Sequence, residues 1–161
     1  MHKGLTTLSL TLLLAAGALS AAGAAPAQME SLQFMVGTWN CTTTAGAMTI
    51  GENETIAAQS PQWLHGSGTS TMNGQPSSED FYIGYDTARS QWVLVSIESG
   101  GQYGISTSVS PSLSPSTWSA AYPAMGGTGV FTRVSDRQYA VDFSQMMNNK
   151  VMTSHQVCTK Q

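Results

Sequence analysis

Few side chains in this sequence are equipped for chemistry, and their spacing limits what they can do. Past the first residues the chain carries two histidines, His65 and His155, and two cysteines, Cys41 and Cys158. A hydrolytic trio of serine, histidine and acid requires a histidine within hydrogen-bond reach of a hydroxyl. Only His65 and His155 offer that position. Neither a Gly-x-Ser-x-Gly elbow nor an HExxH motif accompanies them, and the sequence has no P-loop or dinucleotide fingerprint. Hydrolysis through either histidine is therefore an alternative reading. Glu52 and Glu54 share one face of a short run and Glu79 adjoins Asp80, a spacing that reads as a solvated edge. Met146, Met147, Met152 and His155 lie close together near the end, and thioethers with imidazole suit Cu(I). Consecutive strand residues point to opposite faces, however, so Met146 and Met147 cannot both ligate one ion easily. Methionine is also a common gap-filler in cores, and no metal site is expected.

The cysteines have a different significance, because the chain opens like an exported protein. His2 and Lys3 precede an apolar stretch from Leu5 to about Ala18, and small residues follow, ending in Ala25-Pro26-Ala27. This is the three-part pattern of a secretory signal peptide, expected over residues 1–27, with Ala22-Gly23-Ala24 as a second site of the right form. The apolar stretch is too short to span a bilayer, and no other run of about 20 apolar residues follows. No cysteine stands at the cleavage site to carry a lipid anchor, so the product is expected to be released, periplasmic or secreted. That compartment favours a disulfide between Cys41 and Cys158. It would close nearly the whole mature chain into one loop, worth on the order of 4 to 5 kcal/mol as an upper figure.

Removing 27 of 161 residues leaves 134, one domain's worth, covering 28–161. All nine acidic residues stay and one of the six basic ones leaves, so the mature net charge is −4, which argues against nucleic acid as a partner. Charged residues make up only 9% of the chain, against a typical figure of about 25%. Serine, threonine, asparagine, glutamine and glycine fill the remaining polar positions.

The elements that must position these residues are strands. Ten short β-rich runs occupy 38–44, 48–57, 63–72, 79–85, 91–98, 102–110, 117–122, 127–134, 138–144 and 150–159. Between them stand Asn73-Gly74, Ser99-Gly100-Gly101, Gly126-Gly127, Ser135-Asp136 and Asn148-Asn149, residues that accept tight-turn geometry. Residues 28–35 alone look helical, and a short helical turn there is expected to cap one end. Residues 110–116, with Pro111 and Pro115, read as an exposed loop. The pattern predicts an all-β, ten-stranded antiparallel up-and-down barrel. Closure would make the first and last strands neighbours, and a disulfide needs its Cα atoms within about 7 Å.

A barrel of eight or more strands can be wide enough to hold a small ligand. Alternation on the ninth run sends Tyr139, Val141 and Phe143 inward. The third run sets Trp63, His65 and Ser67 against Leu64, Gly66 and Gly68 with neither face plainly apolar, and the fifth, Trp92 to Ile97, is apolar on both. The aromatics Trp39, Trp63, Tyr82, Trp92, Tyr103, Trp118, Tyr122 and Phe143, with His65 and His155, are the candidate ligand-binding residues. The alternative is that they merely fill a closed core, leaving a structural or interaction protein.

Phe34-Met35-Val36-Gly37-Thr38-Trp39 resembles the opening of calycin-like barrels, where a Gly-x-Trp on the first strand closes the floor. Followed by Phe81-Tyr82-Ile83-Gly84-Tyr85-Asp86, Gln91-Trp92-Val93 and Gly100-Gly101-Gln102-Tyr103-Gly104, it is similar to a DUF1579-type group of exported bacterial proteins of unknown function, related to nitrobindin-like barrels. The resemblance covers about residues 34–108. It implies a ten-stranded barrel with a pocket and no established activity. Nitrobindin-like relatives bind haem through a histidine near the barrel's end, which points to His155, but here Asn40-Cys41-Thr42-Thr43 replaces the expected glycine-rich continuation. The leading expectation is an exported, non-enzymatic barrel holding a small apolar or amphipathic molecule without a cofactor. A haem-dependent or hydrolytic enzyme is the alternative.

Overall fold

The computed structural model describes residues 26–72, 74–123, 127–147 and 150–161. The expected signal peptide lies outside them except for its last two residues, as do parts of the turns at Asn73, Gly126 and Asn148-Asn149. The strands are β1 (Gly37–Ala45), β2 (Met48–Ser60), β3 (Trp63–Met72), β4 (Gln75–Asp86), β5 (Gln91–Glu98), β6 (Tyr103–Ser108), β7 (Ser116–Tyr122), β8 (Thr128–Ser135), β9 (Gln138–Met147) and β10 (Lys150–Lys160). Each pairs antiparallel with its sequence neighbours, and β1 pairs with β10, so the sheet closes into an up-and-down barrel. Gly46, Gly74 and Gly101 supply positive φ at three of the hairpin turns.

Closure brings Cys41 directly opposite Cys158, with Cα atoms 4.0 Å apart and the sulfurs bonded. Only a closed sheet makes these two positions a cross-strand pair. β4 starts four residues earlier than its apolar pattern suggests. Over residues 75–78 its ladder partner is β3 alone, so Pro76, whose missing N–H would break a central ladder, is tolerated there.

One end of the barrel is plugged. α1 (Ala27–Glu30) and a 3-10 turn (Gln33–Met35) replace the single helical stretch expected over 28–35. At the break, Ser31 Oγ donates to the Gln28 carbonyl at 2.6 Å, a bond that competes with helix continuation. Met29, Leu32 and Met35 are buried, and the Trp39 indole N–H donates to the Met35 carbonyl at 2.6 Å. Lys160 Nζ donates to the Phe34 carbonyl at 2.9 Å, and the Arg133 guanidinium lies over the Phe34 ring. The proline-containing loop closes the same end and is not simply exposed. It buries Leu113 in the core, and Ser114 Oγ accepts the Arg133 backbone N–H at 2.7 Å.

Candidate binding cavity

Register determines which side chains meet inside. On β9, Tyr139 is buried and shares the inner face with Val141 and Phe143, as alternation predicts. On β5, Trp92, Leu94 and Ser96 point in and Val93, Val95 and Ile97 point out, which settles a run apolar on both faces. On β3 the inner face is Leu64, Gly66 and Gly68, all buried. Beside Gly66 the Phe81 ring folds flat across the neighbouring strand, filling the space a side chain would take.

One row of the ladder runs Trp39, Glu54, Gly68, Glu79, Glu98 across β1 to β5. Glu54 and Glu79 thus face each other across a glycine. The Glu52 carboxyl, one step along β2, rests over that glycine, since a Cβ at Gly68 would lie 2.5 Å from Glu52 Oε1. Three carboxyl groups gather where β3 has no side chain. This corrects the expectation that Glu52, Glu54 and Glu79 form a solvated edge. The overlooked signal was alternation: Glu52 and Glu54 share a strand face with Ile50 and Ile56, whereas the opposite face is Gly51, Asn53, Thr55 and Ala57.

The three carboxyls line a cavity of about 260 Å³. Its wall includes Phe81, Ile83, Leu94, Trp118, Phe131, Val141 and Phe143, with Met35 from the plug as floor. Besides the carboxyls, Tyr139, Gln156 and Ser106 supply the polar groups. No lysine, arginine or histidine is among the described residues that line it. Tyr139 is held by Trp39, edge-on at 4.9 Å, and Phe131, stacked at 5.4 Å, and its hydroxyl donates to Glu54 Oε2 at 2.7 Å. Gln156 Nε2 donates to Glu52 Oε2 at 3.4 Å.

Burial changes the acidity of these groups. Loss of hydration raises Glu54 from 4.5 to about 7; the Tyr139 hydrogen bond opposes this rise and the Glu52 charge adds to it. Glu79 also rises to about 7, first through burial and then through Glu52, Glu54 and Glu98, against a hydrogen bond from Ser96. Burial raises Glu52 as well. The Tyr139 hydroxyl is pushed well up by burial and by the acids, so it stays protonated and remains a donor.

The sequence-selected residues divide three ways. Trp118 and Phe143 line the cavity. Trp39 and Trp92 are fully buried in the plugged end, where Trp92 packs edge-on against Tyr85 and donates to the Ser110 carbonyl at 3.2 Å. Trp63, His65, Tyr82, Tyr103, Tyr122 and His155 face outward and do not line the cavity. The reason is parity: each alternates with an inner residue, or in the case of Tyr122 follows the irregularity between β6 and β7. His65 stacks on Tyr82 at 4.8 Å and bonds Asp80 at 2.9 Å, and Tyr103 stacks on Tyr122 at 4.9 Å. His155 bonds Asp142 at 2.7 Å on the outer surface. A histidine-based enzyme would therefore have no access to this cavity from either position. The cavity likewise offers no histidine to haem, so the ligand set implied by the nitrobindin-like resemblance does not fit. Met152 shares the inner parity of Gln156 and Cys158, whereas Met146 and His155 take the outer one, so these three do not converge on a copper ion.

No family model matches the chain, and no curated protein matches it. Solved structures do. An S-type phycobiliprotein lyase, CPES, from Guillardia theta aligns with a TM-score of 0.59 at 9% identity, over 83% of this chain and 92% of that one. The protein EF1p2_mFAP2b bound to DFHBI aligns at 0.52 and 13%, over 83% and 99%. A redesigned β-barrel aligns at 0.51 and 16%, over 81% and 95%. At these identities the likeness establishes the barrel fold.

Proposed function

We propose that this protein is an exported, non-enzymatic barrel that holds one small amphipathic molecule in the cavity above its plug. The apolar part of the ligand lies among Phe81, Leu94, Phe131 and Phe143, and its polar end meets Glu54, Glu79 and Tyr139. The observation that carries this reading is the two-sided lining, an apolar wall with a few convergent polar groups, which is the usual character of a small-molecule site. At about 260 Å³ the space is just under the ~300–1,000 Å³ of typical ligand pockets, so the ligand is small. A protein with this fold has been solved with the small molecule DFHBI bound, which is consistent with that use. The leader-like sequence and the Cys41–Cys158 bond support export, since a disulfide persists in an oxidising compartment. The ordered motifs at 34–39, 81–86 and 100–104 support placement with the DUF1579-type exported proteins.

The test is titration of the mature chain with N-phenyl-1-naphthylamine, a neutral dye that brightens in apolar surroundings. Saturable enhancement with one site per chain is expected. Ala120→Trp, which fills the cavity from β7, is expected to abolish it. A folded wild-type chain that leaves the dye dark, or a filled variant that binds it equally well, would sink the reading.

A further inference from the structure

We infer that the cavity selects organic cations, namely small molecules with a protonated amine or guanidinium on an apolar or aromatic body. The inference rests on the ligand-binding reading above and adds the ligand's charge class. Carboxyls alone would not make a site. Here they share a cavity with aromatic walls, and among the described residues that line it there are acids but no base.

Glu54 is only 6% exposed and Glu79 faces it across Gly68, with Glu52 leaning over the same glycine. Two surface acids have an arginine partner: Asp86 bonds Arg89, and Asp136 bonds Arg133. The trio has Tyr139, Gln156 and Ser96, all neutral. A buried carboxylate without a counter-charge is unfavourable, and two or three together more so. A ligand cation entering from solvent would relieve both terms, whereas an anion would add to them.

The geometry also separates an organic cation from a metal ion. Among the described residues, the acids of this trio do not form a group whose oxygens all lie within 4.8 Å of one another. That spread is too wide for one bare ion. A guanidinium, with N–H donors spread over a planar frame, can span it, and an ammonium can bond one or two of the acids without needing all three. The remainder of the ligand would then lie against Phe81, Phe131, Trp118 and Phe143, whose ring faces also attract positive charge.

Three probes with one aromatic body test the charge class: 1-naphthylmethylamine, 1-naphthylmethanol and 1-naphthoic acid, titrated into the mature chain at pH 8. The amine is expected to bind roughly tenfold or more tighter than the alcohol, as one charge-assisted hydrogen bond would give, and the acid weakest of all. In Glu54→Gln/Glu79→Gln the amine's advantage over the alcohol is expected to collapse; an unfolding transition read separately shows that the variant is folded, and Glu79→Gln alone serves if the pair does not fold. Equal binding of amine and alcohol overturns the inference while leaving the ligand-binding reading intact. Failure of all three, together with a dark neutral dye, removes that reading as well.

Discussion

Glu54 ties the stability of this barrel to pH in a direction opposite to that of a salt-bridged acid. Its carboxyl ionises at 4.5 in an unfolded chain and at about 7 in the folded one, chiefly because burial strips its hydration. Between those values the folded state holds a proton that the unfolded state has released, so stability is fully present below 4.5 and is lost as pH rises through about 7. A rise of about 2.5 at roughly 1.4 kcal/mol per pH unit corresponds to about 3 kcal/mol. Glu54→Gln keeps the side chain's shape and an acceptor oxygen for Tyr139, yet cannot ionise. It is expected to match the wild type near pH 4.5 and to exceed it by up to about 3 kcal/mol at pH 8. Urea unfolding of the disulfide-intact protein at pH 5 and pH 8 measures this. The wild type should lose stability between the two, through Glu54 and Glu79 together, and the variant should lose less. Equal losses in both proteins would mean that the Glu54 carboxyl is hydrated, and the picture of a dry acid cluster would fail.

Two further perturbations test the frame around the cavity. Cutting the Cys41–Cys158 bond, by reduction or by the double Cys→Ser change, releases a link between residues 117 apart and is expected to cost up to about 4 to 5 kcal/mol; an unchanged thermal midpoint in reductant would contradict this. Gly66→Ala places a methyl group where the Phe81 ring lies, so the ring must swing toward the cavity, at a cost of about 1 to 3 kcal/mol. Calorimetry should show the lost stability and the naphthylamine dye a weaker enhancement, and normal values for both would mean that the ring can be accommodated elsewhere.

How far the sequence could be read depended on what each residue type signals. Alternation on β9 and the separated turn residues were enough to give the strand count and the all-β class, because a half-buried strand shows its period directly. The cysteine pair favoured closure, since an up-and-down sheet sets its first and last strands side by side only when it closes, although a two-sheet sandwich could also bring them together. Side-chain direction was harder where the two faces of a strand are alike. On β3 the inner face is one leucine and small residues, because the space is taken by Phe81 from β4 and the carboxyl of Glu52 from β2. A strand that leaves room for its neighbours carries no apolar signature of its own, and so Trp63 and His65 looked as inward as Leu64. The acids were misread for a related reason. Charge suggests solvent, and only their shared face with Ile50 and Ile56 showed otherwise.

The composition of the interior separates a filled barrel from a hollow one. Two features on its inner surface reduce stability: a space of about 260 Å³, and carboxyl groups held at about 7 by their surroundings. A barrel whose only task was to stay folded would lose both by exchanging glycine and glutamate for larger apolar residues, since cavities and unpaired buried acids each cost stability. Both features sit in the same place, against Glu52, Glu54, Glu79 and Phe81, whose side chains cover the glycines of β3. The plugged end shows that the chain packs closely elsewhere, with Trp39, Trp92, Leu32 and Leu64 fully buried. Close packing at one end, and space with ionisable groups above it, fits the proposed ligand-binding role, in which binding would relieve those two costs. Of the four tryptophans that first suggested a pocket, Trp39 and Trp92 build its support and Trp118 alone lines it, while three glutamates give the pocket its character.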